Sequence, residues 1–424
     1  MSKRILLMPH GTAGDVLPFI WLGRQMKQRG HEVTMLWVDM YRDAATRAGI
    51  DFVSIKDGGE FQRMSHESAL WSGAQSMRQG HAYADRCTAA CLQAYAEEVA
   101  PRGRPDLILG PMISFAARLL RERHGIPFVS TNIQPAPFIS AYDLPAGLPW
   151  VRVLRKLPVF LRKLILAAAS GDFQPMPVLR QCCLDQGVRP PRSLRKDWYH
   201  SPDGVLALFP SWFGKPQPDW PANTFQWDFP LEDLAEESPL SADFIAFLEA
   251  PGKKLLFTLG SAGGGSRHAA GFFRAALECA LQLDCQAVFI CGEPAHFPPS
   301  LPPSVHVASY APYSRLLKFM DVAVHAGGVG TVSQFLAAGV PQIVACSVFD
   351  QPDNAERVVK TGAGFALPLA SFSSARAIPL LRRCLTDKSV RSSASECRRR
   401  FLERPPAALL LKWLESRMQP VLTP

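Results

Sequence analysis

Apolar positions in this chain fall into short blocks closed by turns that carry glycine or proline. The first block is Ile5-Leu6-Leu7-Met8, ended by Pro9, His10 and Gly11. Residues 18–29 then show apolar positions at helical spacing, Gly30 stops the run, and residues 32–38 read as a second strand. Strand, helix, strand within about 35 residues is the repeating unit of a parallel sheet. Residues 52–55, 106–110 and 127–130 continue the alternation. A second series opens with Leu255-Leu256-Phe257-Thr258-Leu259, which runs into Gly260-Ser261-Ala262-Gly263-Gly264-Gly265. A helix over about 269–283 and strands over 287–291, 305–307, 322–325 and 342–346 follow. The pattern predicts an α/β protein with two Rossmann-like, doubly wound parallel-sheet domains.

The expected boundaries are 1–225 for the N-terminal domain and 240–400 for the C-terminal one. The stretch 213–239, rich in Pro, Trp and acidic residues, reads as the linker. Residues 136–170 break the α/β rhythm, with apolar and basic residues alternating from Leu154 to Leu166. They read as a helical pair that covers a substrate cleft or touches a membrane surface. Residues 401–424 end in an amphipathic helix expected to pack back on the N-terminal domain.

Composition narrows the class. A chain of 424 residues with 47% apolar and 20% charged residues is globular and too long for one core. The net charge of +9 gives a mild pull toward anionic substrates or membrane surfaces. No basic stripe is interleaved with aromatics, so a nucleic-acid partner is not expected. The ten cysteines include no Cys-x-x-Cys pair and no zinc spacing. No export signal is read at the start, and no apolar run reaches the roughly 18 residues of a membrane span. The expected location is cytoplasmic, with peripheral contact at the inner membrane as an option.

The chemistry concentrates in the turns. Asp321-Val322-Ala323-Val324-His325-Ala326-Gly327-Gly328-Val329-Gly330-Thr331 delivers a histidine from a buried strand into a glycine-rich turn. A helix expected to begin near Thr331 would offer free N–H groups and a favourable dipole to an anion. His325 is expected to donate to a pyrophosphate oxygen, and Thr331 to cap the helix or bond phosphate. Next, Phe349-Asp350-Gln351-Pro352-Asp353-Asn354 follows a strand, where α/β sheets bind ligands. Asp350 and Gln351 are suited to sugar hydroxyls, and Asp353 to capping the helix that carries Asn354. Tyr310 is placed to stack on a base whose edge the Ala311 backbone could read, and Ser261 to bond phosphate. In the first half, Asp15 stands in the turn His10-Gly11-Thr12-Ala13-Gly14-Asp15, where a carboxylate can take a proton from a hydroxyl nucleophile. His10 is the competing base.

These features resemble the GT-B fold glycosyltransferases of family 1, the UDP-glycosyltransferase-like enzymes. The resemblance rests on the Gly-Thr-x-Gly-Asp-Val-x-Pro turn (Gly11, Thr12, Gly14, Asp15, Pro18) and the His-x-Gly-Gly-x-Gly-Thr segment, and it spans nearly the whole chain. Within the family, the segments His200–Phe213, Asp219-Trp220-Pro221 and Val340–Arg357 are most similar to the rhamnosyltransferase B chains of rhamnolipid biosynthesis. The resemblance implies two Rossmann-like domains facing a cleft and an inverting, metal-independent sugar transfer. The nucleotide sugar, dTDP- or UDP-linked, is a co-substrate; no further cofactor is implied. Asp15 falls on the catalytic-base position. His325, Gly327, Gly328, Gly330 and Thr331, with Ser261, would meet the donor phosphates. Asp350, Gln351 and Asn354 would meet the donor sugar, and Tyr310 the base.

The implied reaction moves L-rhamnose from dTDP-L-rhamnose to a hydroxyacyl lipid, a 3-(3-hydroxyalkanoyloxy)alkanoic acid, giving a mono-rhamnolipid. Contact with the membrane or with the enzyme that makes the acceptor goes with that reading. Glucosyl transfer from UDP- or dTDP-glucose would use the same motifs. A nicotinamide or flavin oxidoreductase is disfavoured, because G-x-G-x-x-G is missing and Asp15 would oppose a pyrophosphate. A catalytically dead scaffold should have lost Asp15, Asp350 or Gln351, and all three are present.

Overall fold

The computed structural model describes residues 2–67, 70, 75–147, 149–169, 176–233, 239–260 and 265–418. The chain forms two compact units. The first comprises residues 1–64, 77–230 and 405–424, and the second residues 65–76 and 231–404.

The first unit is built on seven parallel strands: β1 (Arg4–Leu7), β2 (Glu32–Trp37), β3 (Asp51–Ser54), β4 (Leu107–Gly110), β5 (Phe128–Asn132), β6 (Val205–Ala207) and β7 (Thr224–Gln226). Their spatial order is β3-β2-β1-β4-β5-β6-β7. Leu107–Gly110 and Phe128–Asn132 are buried along their whole length, as strands of a parallel sheet covered on both faces are. The order reverses between β1 and β4, so the turns after these strands flank the switch point where open α/β sheets bind ligands. The helix Ala13–Gln28 starts five residues earlier than the apolar period suggested, because Thr12 takes the N-cap position and Asp15 the third helical position.

The stretch read as a linker proves to be partly core. Thr224–Gln226 pairs with Val205–Ala207 as the last strand of this sheet. The nearby aromatics pack inward, with Trp220 stacked on Phe138 at 4.0 Å and Trp227 on Trp21 at 4.9 Å. The chain re-enters this unit with the helix Ala407–Arg417, whose Leu410 and Leu414 are fully buried. Trp413 stacks on Phe225 at 5.0 Å, and the Trp227 indole N–H donates to the Pro405 carbonyl at 3.1 Å.

The second unit holds six parallel strands: β8 (Lys254–Thr258), β9 (Gln286–Ile290), β10 (Val305–Ala308), β11 (Val322–His325), β12 (Gln342–Val344) and β13 (Gly364–Ala366). Their order is β10-β9-β8-β11-β12-β13, with its own reversal between β8 and β11. Phe272 and Phe273 of the helix Ala269–Gln282 pack on Phe257 and Phe289 of the sheet. All ten cysteines are free thiols.

Candidate active site

In the first unit the site begins at the turn after β1. Gly11 adopts φ +117°, and a Cβ there would lie 2.3 Å from Asp15 Oδ2, so only glycine lets this carboxylate fold back over the turn. The Thr12 N–H donates to Asp15 Oδ2 at 2.9 Å, and the Thr12 hydroxyl donates to the same oxygen at 3.4 Å. Asp15 keeps part of its surface open. Burial of the carboxylate still lifts its pKa from 3.8 to about 6, against the Thr12 hydrogen bonds that lower it. At neutral pH it is ionised and poised near the operating range of a general base.

His10 differs on each count. It is buried, its ring lies 4.3 Å from that of Trp37, and its Nδ1 has no partner. Burial lowers its pKa to about 4, so it is a weaker base than Asp15 and a less reachable one.

In the second unit the turn after β11 lies at the strand-order reversal. The helix begins at Val329, with Gly328 as N-cap, two residues before the expected start. Thr331 therefore does not cap the helix. It is the third helical residue, its N–H bonds the Gly328 carbonyl at 3.0 Å, and its hydroxyl bonds Tyr313. Tyr313 also bonds Thr258 at the end of β8, tying that strand end to the first turn of the helix. The Val329 and Gly330 N–H groups stand in the first turn, where no carbonyl one turn back can reach them. Together with the helix dipole they form an anion-binding end.

His325 does not offer the expected donor. Its Nε2 bonds Gln342 Oε1 at 2.8 Å and its Nδ1 accepts the Gly327 N–H at 3.1 Å. The ring is buried and stacked on Phe335 at 4.9 Å, and burial lowers its pKa to about 4.

The acidic turn also differs from expectation. Asp350, not Asp353, holds the N-cap position of the helix Gln351–Thr361, and Asp353 pairs with Arg357 at 2.8 Å within that helix. Gln351 Oε1 accepts the N–H groups of Ser347 and Val348 at 2.9 and 3.2 Å, so its acceptor is committed to the loop. Asn354 is fully buried and donates to Asp350 Oδ2 at 2.6 Å and to the Gly327 carbonyl at 2.9 Å. The carboxylate turn and the glycine turn are thus brought together through Asn354.

Tyr310 presents a half-exposed ring while its hydroxyl bonds the Asp233 carbonyl. Ala311 is buried. Ser261 lies outside the described residues.

Sequence reasoning missed Gln342, Tyr313 and Asp233. Gln342 had a signal, a polar residue inside the apolar run Val340-Pro341-Gln342-Ile343-Val344. Asp233 lay in the stretch read as linker and had none.

With this geometry in place, the class is defined: the chain is a glycosyltransferase of the GT-B fold, which transfers a sugar from a nucleotide sugar. Residues 5–136 match the glycosyltransferase family 28 N-terminal domain, and residues 277–416 match the C-terminal domain described as erythromycin biosynthesis protein CIII-like. Among curated relatives, 4'-demethylrebeccamycin synthase of Lentzea aerocolonigenes is 25% identical and covers 95% of this chain and 97% of its own. A sterol 3-beta-glucosyltransferase of Glomerella lagenarium is also 25% identical over 88% of this chain, which spans only 26% of that protein's length. The fold matches the calicheamicin glycosyltransferase CalG4 with a TM-score of 0.72, at 22% identity and full coverage of both chains (100% each). It also matches the spinosyn rhamnosyltransferase SpnG complexed with thymidine diphosphate, with a TM-score of 0.67 and 19% identity over 97% of this chain and 100% of that one.

Proposed function

We propose that this enzyme moves L-rhamnose from dTDP-L-rhamnose to the hydroxyl of a hydroxyacyl lipid by an inverting displacement. The observation that carries the chemistry is the partly open Asp15 carboxylate at the carboxyl edge of the first sheet. The acceptor oxygen forms its bond to the anomeric carbon as the bond from that carbon to the diphosphate oxygen breaks. The proton passes to Asp15, and the anomeric configuration inverts. The departing diphosphate gains charge, which the N-terminus of the Val329–Ala338 helix stabilises in the second unit.

Thymidine diphosphate on a fold relative that is a rhamnosyltransferase supports the donor reading. The lipid reading rests on residues 149–169. Trp150, Val153, Phe160, Leu164 and Ile165 are exposed on the helices Pro149–Leu154 and Val159–Ala168, with Phe160 62% and Leu164 63% accessible. Arg152, Lys156 and Lys163 are exposed among them, and no acidic residue occurs from 144 to 171. Such a surface suits an anionic membrane face where a hydroxyacyl lipid would gather. Arg155 and Arg162 donate to backbone carbonyls, Arg155 to Leu144 at 2.6 Å and Arg162 to Leu157 at 2.8 Å. No helix among the described residues is long and apolar enough to cross a membrane.

The sterol glucosyltransferase likeness supports a second reading, glucosyl transfer to an apolar alcohol. Incubation of the purified chain with dTDP-rhamnose, dTDP-glucose or UDP-glucose and a hydroxyacyl lipid, followed by mass spectrometry, separates the two. A rhamnosylated lipid is expected. Products only from UDP-glucose or only on polar acceptors would overturn the proposal.

A further inference from the structure

The chain passes from the first unit to the second after Pro230, and Asp233 is the third residue past that crossing. Its side chain is buried, and both carboxylate oxygens bond one residue. The Ser314 N–H donates to Oδ2 at 2.6 Å, and the Ser314 hydroxyl donates to Oδ1 at 3.2 Å. One position earlier, the Glu232 carbonyl accepts from Gln334 of the helix Val329–Ala338 at 3.5 Å.

Ser314 is the second residue of the helix Tyr313–Leu316, where an N–H has no carbonyl one turn back to reach. The N-cap residue is Pro312, whose side chain has no acceptor to offer. The cap that a local Ser, Thr, Asp or Asn would supply comes instead from Asp233, 81 positions away, and a carboxylate suits the positive end of a helix. Tyr310, with its half-exposed ring, stands two residues before the cap position. Tyr313 gives the same short segment a second anchor through its bonds to Thr258 and Thr331. The Tyr310 hydroxyl also reaches the Asp233 carbonyl. That bond holds only the tip of the ring, whereas the carboxylate holds the backbone from which the ring rises.

We propose that Asp233 is a positioning residue for the nucleobase: as a cap supplied from a distance it fixes residues 310–314, and with them the ring on which the base lies. This rests on Tyr310 being the surface that carries the base. It makes the segment that joins the two units part of the donor site rather than a passive connection.

Asp233→Ala leaves the Ser314 N–H without its acceptor. Affinity for dTDP, measured by calorimetry, should fall about tenfold, the scale of a lost cap. Affinity for inorganic pyrophosphate, measured by displacement of dTDP, should not change, because that ligand has no base. Combined with Tyr310→Ala, the substitution should cost nothing further, since two residues that act through one contact are not additive. Unchanged dTDP affinity in Asp233→Ala overturns the proposal. So does an equal loss for pyrophosphate, which marks a cap that only stabilises the unit, and so does a full second loss on top of Tyr310→Ala. If Asp233→Ala does not fold, Ser314→Ala takes its place, because it removes only the bond to Oδ1. It should lower dTDP affinity about threefold, the scale of one hydrogen bond, with pyrophosphate unaffected. Affinity for dTDP equal to wild type in that variant overturns the proposal. If Tyr310→Ala by itself leaves dTDP binding intact, the base lies elsewhere and the proposal falls with it.

Discussion

The Arg29 guanidinium donates two hydrogen bonds to Glu415, Nε to Oε1 at 2.9 Å and Nη2 to Oε2 at 2.8 Å. His31 Nε2 reaches the same Oε1 at 3.2 Å. This pairing ties the end of the first helix and the start of β2 to the last helix, 386 positions apart. The Glu415 carboxyl is held below its usual range chiefly by the hydrogen bond from Arg29.

The ion pair orients this helix more than it stabilises it. The two side chains are 35% and 28% exposed, so Glu415→Gln should cost under about 1 kcal/mol. Leu414→Ala, at a fully buried position, should cost about 2–5 kcal/mol. Thermal melts of the two variants check the order. Equal losses would mean that the ion pair holds the helix as much as the apolar contact does.

Asp15→Asn keeps the shape of the side chain and removes its basicity. Turnover should fall by about 10²–10⁴ with dTDP affinity unchanged. In the wild type, kcat/KM should fall below about pH 6, where the carboxylate takes up its proton. Full activity in Asp15→Asn with loss in His10→Ala would give the base role to His10.

The same carboxylate bears on stability. Its pKa is raised from 3.8 to about 6 on folding, so the folded chain binds this proton more tightly than the unfolded one. Its contribution to stability is present below the unfolded pKa and is lost as pH rises through the folded pKa. At pH 7.5, Asp15→Asn should therefore melt at or above the wild-type temperature although it is inactive. A clear loss of stability there would show that the Thr12 contacts outweigh the cost of burying the charge.

Tyr310 tests base stacking. Tyr310→Ala should weaken dTDP and UDP alike by about 1–3 kcal/mol, the value of an aromatic platform under a base. Tyr310→Phe keeps the ring and loses only the hydroxyl bond to Asp233, so nucleotide affinity should stay near wild type. Calorimetry on both variants decides, and unchanged binding in Tyr310→Ala would place the base elsewhere.

The exposed apolar face of residues 149–169 should bind vesicles that contain an anionic lipid, more weakly as salt rises. Phe160→Asp or Leu164→Asp should lower that partition at least about tenfold, since burying such a side chain contributes about 1.5–3 kcal/mol. Cosedimentation measures it. Binding that ignores both substitutions would remove the membrane from the acceptor reading.

Most of the order of strands and helices was written in the chain itself, though Val205–Ala207, Thr224–Gln226 and Gly364–Ala366 were not read as strands. Strands buried on both faces favour apolar residues, and positive φ favours glycine, as at Gly11 and Gly327. Those local demands made the two sheets and the two chemical turns legible without coordinates. They also placed Asp15 at a helix start, because a capping residue and an acid in the first turn are local features. What the chain alone did not decide was which partner each polar atom takes. His325 read as a free donor until β12 placed Gln342 against its Nε2. Gln351 read as a sugar ligand until its loop claimed its oxygen, and Thr224–Gln226 read as linker until β6 stood beside it. The raised pKa of Asp15 and the lowered one of His10 follow from burial. Hydrogen-bond partners and desolvation depend on neighbours distant in sequence, and only tertiary structure brings those together.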